Sequence, residues 1–255
     1  MTEQATADEK ALLMSALASA RESTVAESAR PIVGTLSEKL LHRTLKYYFE
    51  PDPERHEIPV EGYVADILNG EGIVEIQTRG FRNLRAKLDA YLPLYPVTVV
   101  YPVVVERRVI WVDAESGEAE APQRSPKKGR ASDLLSELSQ LPNGIPNGRL
   151  RYRLVFLSAD EYRLADGRGP NRRRGATKVD IFPTELMGTM DITSLCELGE
   201  ILPPLPEQFS ARQFYSAMRL RGIRASITLS YAVKIGLVER IGQQGRAYLY
   251  SKTKL

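Results

Sequence analysis

A single cysteine, Cys196, occurs in 255 residues, so an internal disulfide and a multi-cysteine metal site are both excluded. It lies in a leucine-rich segment and is expected in the core. Histidine is almost as scarce, with His42 and His56 alone, which excludes His-rich zinc catalysis. No apolar run approaches the roughly 20 residues that span a bilayer. The stretch 11–20 (ALLMSALASA) ends in small residues as a signal peptide does, yet Glu3, Asp8 and Glu9 precede it where positive charge is required. A cytoplasmic protein with no membrane partner is expected, residues 1–30 forming a partly helical N-terminal arm whose Ser-, Arg- and Glu-rich continuation to Arg30 is loosely attached.

A large excess of either charge is also missing: 35 Lys and Arg face 32 Asp and Glu, a net of +3. That balance conceals segregation. Residues 1–70 hold 7 basic and 12 acidic side chains, whereas residues 209–255 hold 9 basic and 1 acidic. A basic end on a near-neutral chain suggests a polyanion-binding module joined to something else. With 43% hydrophobic and 26% charged residues, the chain can build a packed core, and global disorder is excluded.

Residues 35–49 place Leu36, Leu40, Leu41, Leu45 and Phe49 at helical spacing, and Pro51-Asp52-Pro53 ends the run. Short strands are predicted at 57–60, 63–68 and 73–79, the last two joined by Asn69-Gly70-Glu71-Gly72, a hairpin signal. A helix over 81–92 and a β-branched run over 97–105 suggest a crossover to a buried strand. Residues 107–113 predict another strand, paired as a hairpin with the end of the previous one. Residues 150–157 alternate as a half-exposed strand does. Two loops, 114–130 and 167–178, carry Lys127, Lys128, Arg172, Arg173 and Arg174, and Pro203–Pro206 is a linker candidate.

Alternation puts Asp66 on one side of its strand and Glu75, Gln77 and Arg79 on one side of the next. If residues 69–72 close the hairpin, Asp66 lies opposite Glu75. Two carboxylates placed so repel and desolvate each other unless a cation separates them. Oxygen-only ligands favour Mg²⁺, Mn²⁺ or Ca²⁺ over Zn²⁺.

The order of a helix bearing Glu38, a strand bearing Asp66, Glu75-Ile76-Gln77, a helix and a strand resembles the PD-(D/E)XK nuclease superfamily over about residues 31–113. The whole chain also resembles an uncharacterised bacterial family that joins such a domain to a winged helix. The resemblance implies an α/β fold: an αβββαβ restriction-endonuclease-like core, a mixed sheet flanked by helices, over residues 31–190. It implies Mg²⁺- or Mn²⁺-assisted phosphodiester hydrolysis, with Asp66 and Glu75 as metal ligands and Glu38 assisting. Gln77 stands where the superfamily has a lysine that orients the attacking water. Arg79 or Lys87 could restore the missing charge, and His42, one turn from Glu38, is an auxiliary candidate. Thr35-x-x-Glu38 is equally a capping-box pattern. Dimerisation is common among such nucleases, so a homodimer stays open.

Residues 191–255 read as helix, tight turn at Gly222, helix and hairpin, the order of a winged helix-turn-helix. Arg224, Ser226, Thr228 and Lys234 on its second helix, with Gln243 and Arg246 at the hairpin tip, suit contacts to duplex DNA. A non-catalytic DNA-binding regulator with a degenerate nuclease fold is the alternative.

Overall fold

The computed structural model describes residues 2–28, 40–166 and 177–254. Glu38, with Thr35, and Arg172, Arg173 and Arg174 lie outside the described residues. Strand β1 (Glu3–Gln4) and helices α1 (Ala7–Ser28) and α2 (Leu40–Phe49) precede strands β2 (His56–Val60), β3 (Tyr63–Asn69) and β4 (Gly72–Ile76). A 3-10 turn opens helix α3 (Leu84–Tyr91), which leads to strand β5 (Val97–Asp113). Strand β6 (Gln123–Arg124), helix α4 (Asp133–Leu138) and the long strands β7 (Leu150–Ala165) and β8 (Thr177–Ile192) follow. Helix α5 (Leu195–Glu200) leads to strand β9 (Phe209–Ser210), helices α6 (Ala211–Met218) and α7 (Gly222–Lys234), and strands β10 (Val238–Gln244) and β11 (Ala247–Lys252).

The large sheet has the order β1-β8-β7-β5-β4-β3-β2, with β6 beside β5. Strands β4, β5 and β7 run parallel and the remaining pairs are antiparallel, so the sheet is mixed. Alternation in the strands gives it two apolar faces. Val74, Ile76, Val100 and Val155 pack under Leu13 of α1 and Leu41 and Leu45 of α2. Ile73, Val97, Val99 and Leu154 pack under α3 and under Leu134, Leu135 and Leu138 of α4. Each such side chain, fully buried, contributes about 1.5–3 kcal/mol. The expected α/β architecture, helices on both faces of a mixed sheet, is what the chain adopts. A second, three-stranded sheet, β10-β11-β9, carries the C-terminal helices.

Several expectations require correction. The start of the N-terminal arm is part of the domain: Leu13 is fully buried, and β1 lies on β8. Residues 97–113 form one strand and not a hairpin, because no turn residue interrupts them and a bulge after Val104 absorbs the change of pattern. Strand β7 is interior, with Tyr152, Leu154, Val155 and Leu157 fully buried. Strand β4 ends at Ile76, so Arg79 does not continue its alternation. The turn between α6 and α7 uses Arg219 in the left-handed region (φ 53°), and Gly222 opens α7. Cys196 is exposed. Pro203 is buried, and Ile192 and Leu198 share one cluster with Phe209, Phe214 and Leu229, so the proline run is not a free tether.

Candidate active site

The hairpin that carries the acids is set by glycine. Gly72 has φ +113°, and a Cβ there would lie 2.4 Å from the Pro96 carbonyl oxygen. That conformation lets the Ile73 N–H donate to the same oxygen (2.9 Å) and fixes the pairs Asn69–Gly72, Leu68–Ile73 and Ile67–Val74. Carried one step further, this register sets Asp66 across from Glu75, as expected. However, the ladder stops at Ile67–Val74, and the Ile76 N–H donates to the Asp66 carboxylate instead (2.7 Å). The acids therefore occupy the point where β3 and β4 part.

Helices from both faces reach this fork. From α2, His42 Nε2 lies 3.2 Å from Asp66 Oδ2. From α3, the Lys87 ammonium donates to both Glu75 oxygens (3.0 and 2.8 Å) and to the Val64 carbonyl (2.7 Å). The acids are thus not the flat cross-strand pair that alternation alone describes, yet each feels the other. Burial, and then the charge of Asp66, push the Glu75 carboxyl up to about 7, against the pull of Lys87. Burial also raises Asp66, but the His42 hydrogen bond and charge, the Ile76 N–H and Lys87 outweigh it and hold Asp66 below its ordinary value. Glu75 is 2% exposed, so burial disfavours its charged form and Lys87 opposes that.

Tyr91 was not foreseen. At helical spacing it reads as an ordinary core residue. Its hydroxyl is nonetheless buried without a hydrogen-bond partner among the described residues. Burial and the charges of Glu75 and Asp66 raise its pKa. A buried donor beside two carboxylates, itself unsatisfied, is a position that an added water or ion would complete.

Of the other candidates, Lys87 joins the site and Gln77 does not. The Gln77 amide donates to the carbonyls of Arg79 and Gly80, within its own loop. Arg79 is exposed on the wall of a cavity of about 450 Å³ that His42 also lines. Among the described residues, no group of three or more His, Cys, Asp or Glu side chains is arranged to hold a metal ion. The donor set at the fork is nonetheless hard oxygen, two carboxylates and a phenol. Such donors are of the kind a small divalent cation takes, and the Lys87 ammonium already sits on both Glu75 oxygens.

The C-terminal candidates divide. Arg224 is tied to α4, donating to Ser136 Oγ and to Glu137 Oε1 (2.7 Å), while its side chain stays about half exposed. Thr228 is fully buried and donates to the Arg224 carbonyl (2.8 Å). Thr228 is not placed to meet DNA, because the inward stripe of α7 takes Ala225, Thr228 and Leu229. Its outward face presents Ser226, Lys234, Ile227 (46% exposed) and Ile223 (78% exposed). Gln243 and Arg246 are exposed on the hairpin, as are Lys127 and Lys128 on the loop before α4.

A family model described as "Domain of unknown function (DUF8091)" matches residues 39–193, from the start of α2 to just beyond β8. The chain belongs to this family. It is also 30% identical over 222 residues to an "Uncharacterized protein" of Treponema pallidum (strain Nichols), covering 86% of this chain and 87% of that one. That similarity is longer than the family's segment, so it reaches beyond the large sheet. No solved structure matches the chain. Among the described residues, no helix is long and apolar enough to cross a membrane.

Proposed function

We propose that the protein is a cytoplasmic, DNA-binding, divalent-metal-dependent phosphodiester hydrolase. The observation that carries this is the buried acid pair at the β3–β4 fork, Glu75 being pushed up to about 7 by burial and by Asp66. The sequence α2, β2, β3, β4, α3, β5 supports a PD-(D/E)XK-like core. Asp66 and Glu75 would hold Mg²⁺ or Mn²⁺. Such an ion, when bound, lowers the pKa of a coordinated water and neutralises charge on the phosphate. His42 fixes the Asp66 carboxylate through Nε2. Lys87 takes the part that Gln77 vacates, bringing a cation to Glu75 from α3. Tyr91 offers its hydroxyl to a water at the fork.

The order of α6, α7, β10 and β11 supports a winged helix-turn-helix at the C-terminus. Ser226, Lys234, Gln243 and Arg246 are its exposed candidates for duplex contact, and the 9 basic against 1 acidic side chains of residues 209–255 favour a polyanion. Asp66→Ala should abolish Mg²⁺- or Mn²⁺-dependent cleavage while leaving DNA binding intact. Failure of the unaltered protein to cut any DNA or RNA form with either ion would overturn the assignment. A non-catalytic regulator is favoured by one feature, the Gln77 amide turned into its own loop. It predicts salt-sensitive duplex binding that survives Asp66→Ala and needs no metal.

A further inference from the structure

Two crevices lie end to end beyond the acid pair. The first, about 450 Å³, has His42 and Arg79 on its walls and Tyr101, Pro102 and Val103 among its apolar surface. The second, about 350 Å³, is lined by Arg108, Arg124 and Lys128. Arg107 lines both, so the two adjoin and can be followed as one groove. It begins at the residue that holds Asp66 and ends on the loop before α4.

The groove's acids are mostly engaged. Asp180 accepts from the Leu40 and Ile181 N–H groups and Asp133 from the Arg130 N–H, while Glu185 pairs with Lys10. Its cations divide: Arg108 is held by Asp160 through Nε and Nη2, and Lys178 by Glu161. Arg79, Arg124 and Lys128, by contrast, make no ion pair among the described residues. Arg107 gives Nη1 to the buried Glu161 (2.8 Å), but its Nε is buried without a hydrogen-bond partner. Two unpaired guanidinium groups and an ammonium on either side of Arg107, with an apolar pocket at one end, suit phosphates spaced along a chain and one base turned inward. A duplex keeps its bases stacked in pairs, which a pocket of this size cannot receive.

We propose that this groove is a track for a single strand of nucleic acid, leading it past Arg124, Lys128, Arg107 and Arg79 to the Asp66–Glu75 pair. The end point rests on the hydrolase reading above; the binding does not.

The test is fluorescence anisotropy on the full chain carrying Asp66→Asn, in chelating buffer, with a labelled single strand and the corresponding duplex across a salt series. The single strand should bind at least about tenfold more tightly than the duplex when the C-terminal hairpin is neutralised by Arg246→Gln. Arg79→Glu and Arg124→Glu, both at exposed side chains, should each weaken single-strand binding about tenfold. Each should also reduce the slope of log affinity against log salt by at least about 0.7. Arg212→Glu, on α6 away from the groove, should change neither quantity. Equal binding of duplex and single strand, no effect of the two groove variants, or equal competition by polyglutamate would each overturn the track. Absence of cleavage by the protein with Asp66 intact would remove the hydrolase reading and leave the binding result standing. Cleavage with groove variants of unaltered affinity would do the reverse.

Discussion

Replacing Glu75 by Gln isolates the electrostatic strain at the fork. In the unfolded chain this carboxyl titrates near its ordinary 4.5, and in the folded chain near 7. A folded-state value above the unfolded one means that the native protein holds a proton the unfolded chain has released. The corresponding stability is complete below 4.5, declines as pH rises, and is lost above about 7. At about 1.4 kcal/mol per pH unit, the interval amounts to about 3 kcal/mol. Asp66 is depressed, so its contribution is lost only on acidification below the ordinary carboxylate range and does not enter this window. Glutamine has no proton to lose. The unfolding free energy of the unaltered protein minus that of Glu75→Gln, from urea titrations in chelating buffer, should therefore fall by about 2–3 kcal/mol between pH 5 and pH 7.5. A flat difference, within about 0.5 kcal/mol, would falsify the account. It would mean that Lys87 holds Glu75 ionised throughout and that the two acids ignore each other. Manganese supplies the complementary measurement. At about one hundred times its dissociation constant it should restore about 2.7 kcal/mol at pH 8 to the unaltered protein and nothing to Glu75→Gln.

Other perturbations test the surrounding structure. Lys87→Met removes the only side-chain cation that a hydrogen bond ties to Glu75 among the described residues; it should cost about 2–4 kcal/mol at pH 8 and less at pH 5, where Glu75 is protonated. Gly72→Ala forces a Cβ onto the Pro96 carbonyl at positive φ and should lower stability by about 2 kcal/mol or more, read as a fall in the urea midpoint. Leu13→Ala should cost about 2–5 kcal/mol, a result that a loosely attached arm could not produce. Arg224→Ala should destabilise the chain by about 1–3 kcal/mol, since its guanidinium is tied to the buried Glu137.

The hairpin was legible because its information is local: Asn69-Gly70-Glu71-Gly72 fixes the register, and the register fixes which residues oppose. What happens one step beyond Ile67–Val74 was not legible. There the Ile76 N–H turns to the Asp66 side chain, a choice that depends on His42 arriving from a helix more than twenty residues away. Lys87 and Tyr91 share this problem, because their helical spacing reads equally as surface and core. Strand β8 escaped notice for a different reason. Pro183 and Gly188 break its pattern, but both fall where its ladder with β7 shifts register, and Gly188 gives Glu3 of β1 room to pair. Strand β5 reads as two strands because the apolar run ends at Val105, although a bulge lets the backbone continue. On α7, charge and hydroxyl placement suggested a DNA face, but tertiary packing against α4 decided which way Arg224 and Thr228 turn.

That packing bears on how the two parts of the chain act together. Glu137 of α4 is shared: Oε1 accepts from Arg224 of α7 (2.7 Å) and Oε2 from the Gly80 N–H (2.9 Å). Gly80 closes the loop that follows β4, accepts the Gln77 amide, and precedes the turn that launches α3 with its Lys87. Arg130 adds a second tie, donating to the carbonyls of Ala217 (2.8 Å) and Met218 (2.6 Å) at the end of α6. Two guanidinium groups and one continuous apolar cluster hold the C-terminal helices against the same face that positions Lys87. A carboxylate with hydrogen bonds on both oxygens resists rotation, so a displacement of α7 is opposed at Gly80 as well as at Glu137. The C-terminal part therefore behaves as a structural neighbour of the acid pair rather than as a tethered targeting module, and its deletion would disturb the loop after β4 along with any DNA contact.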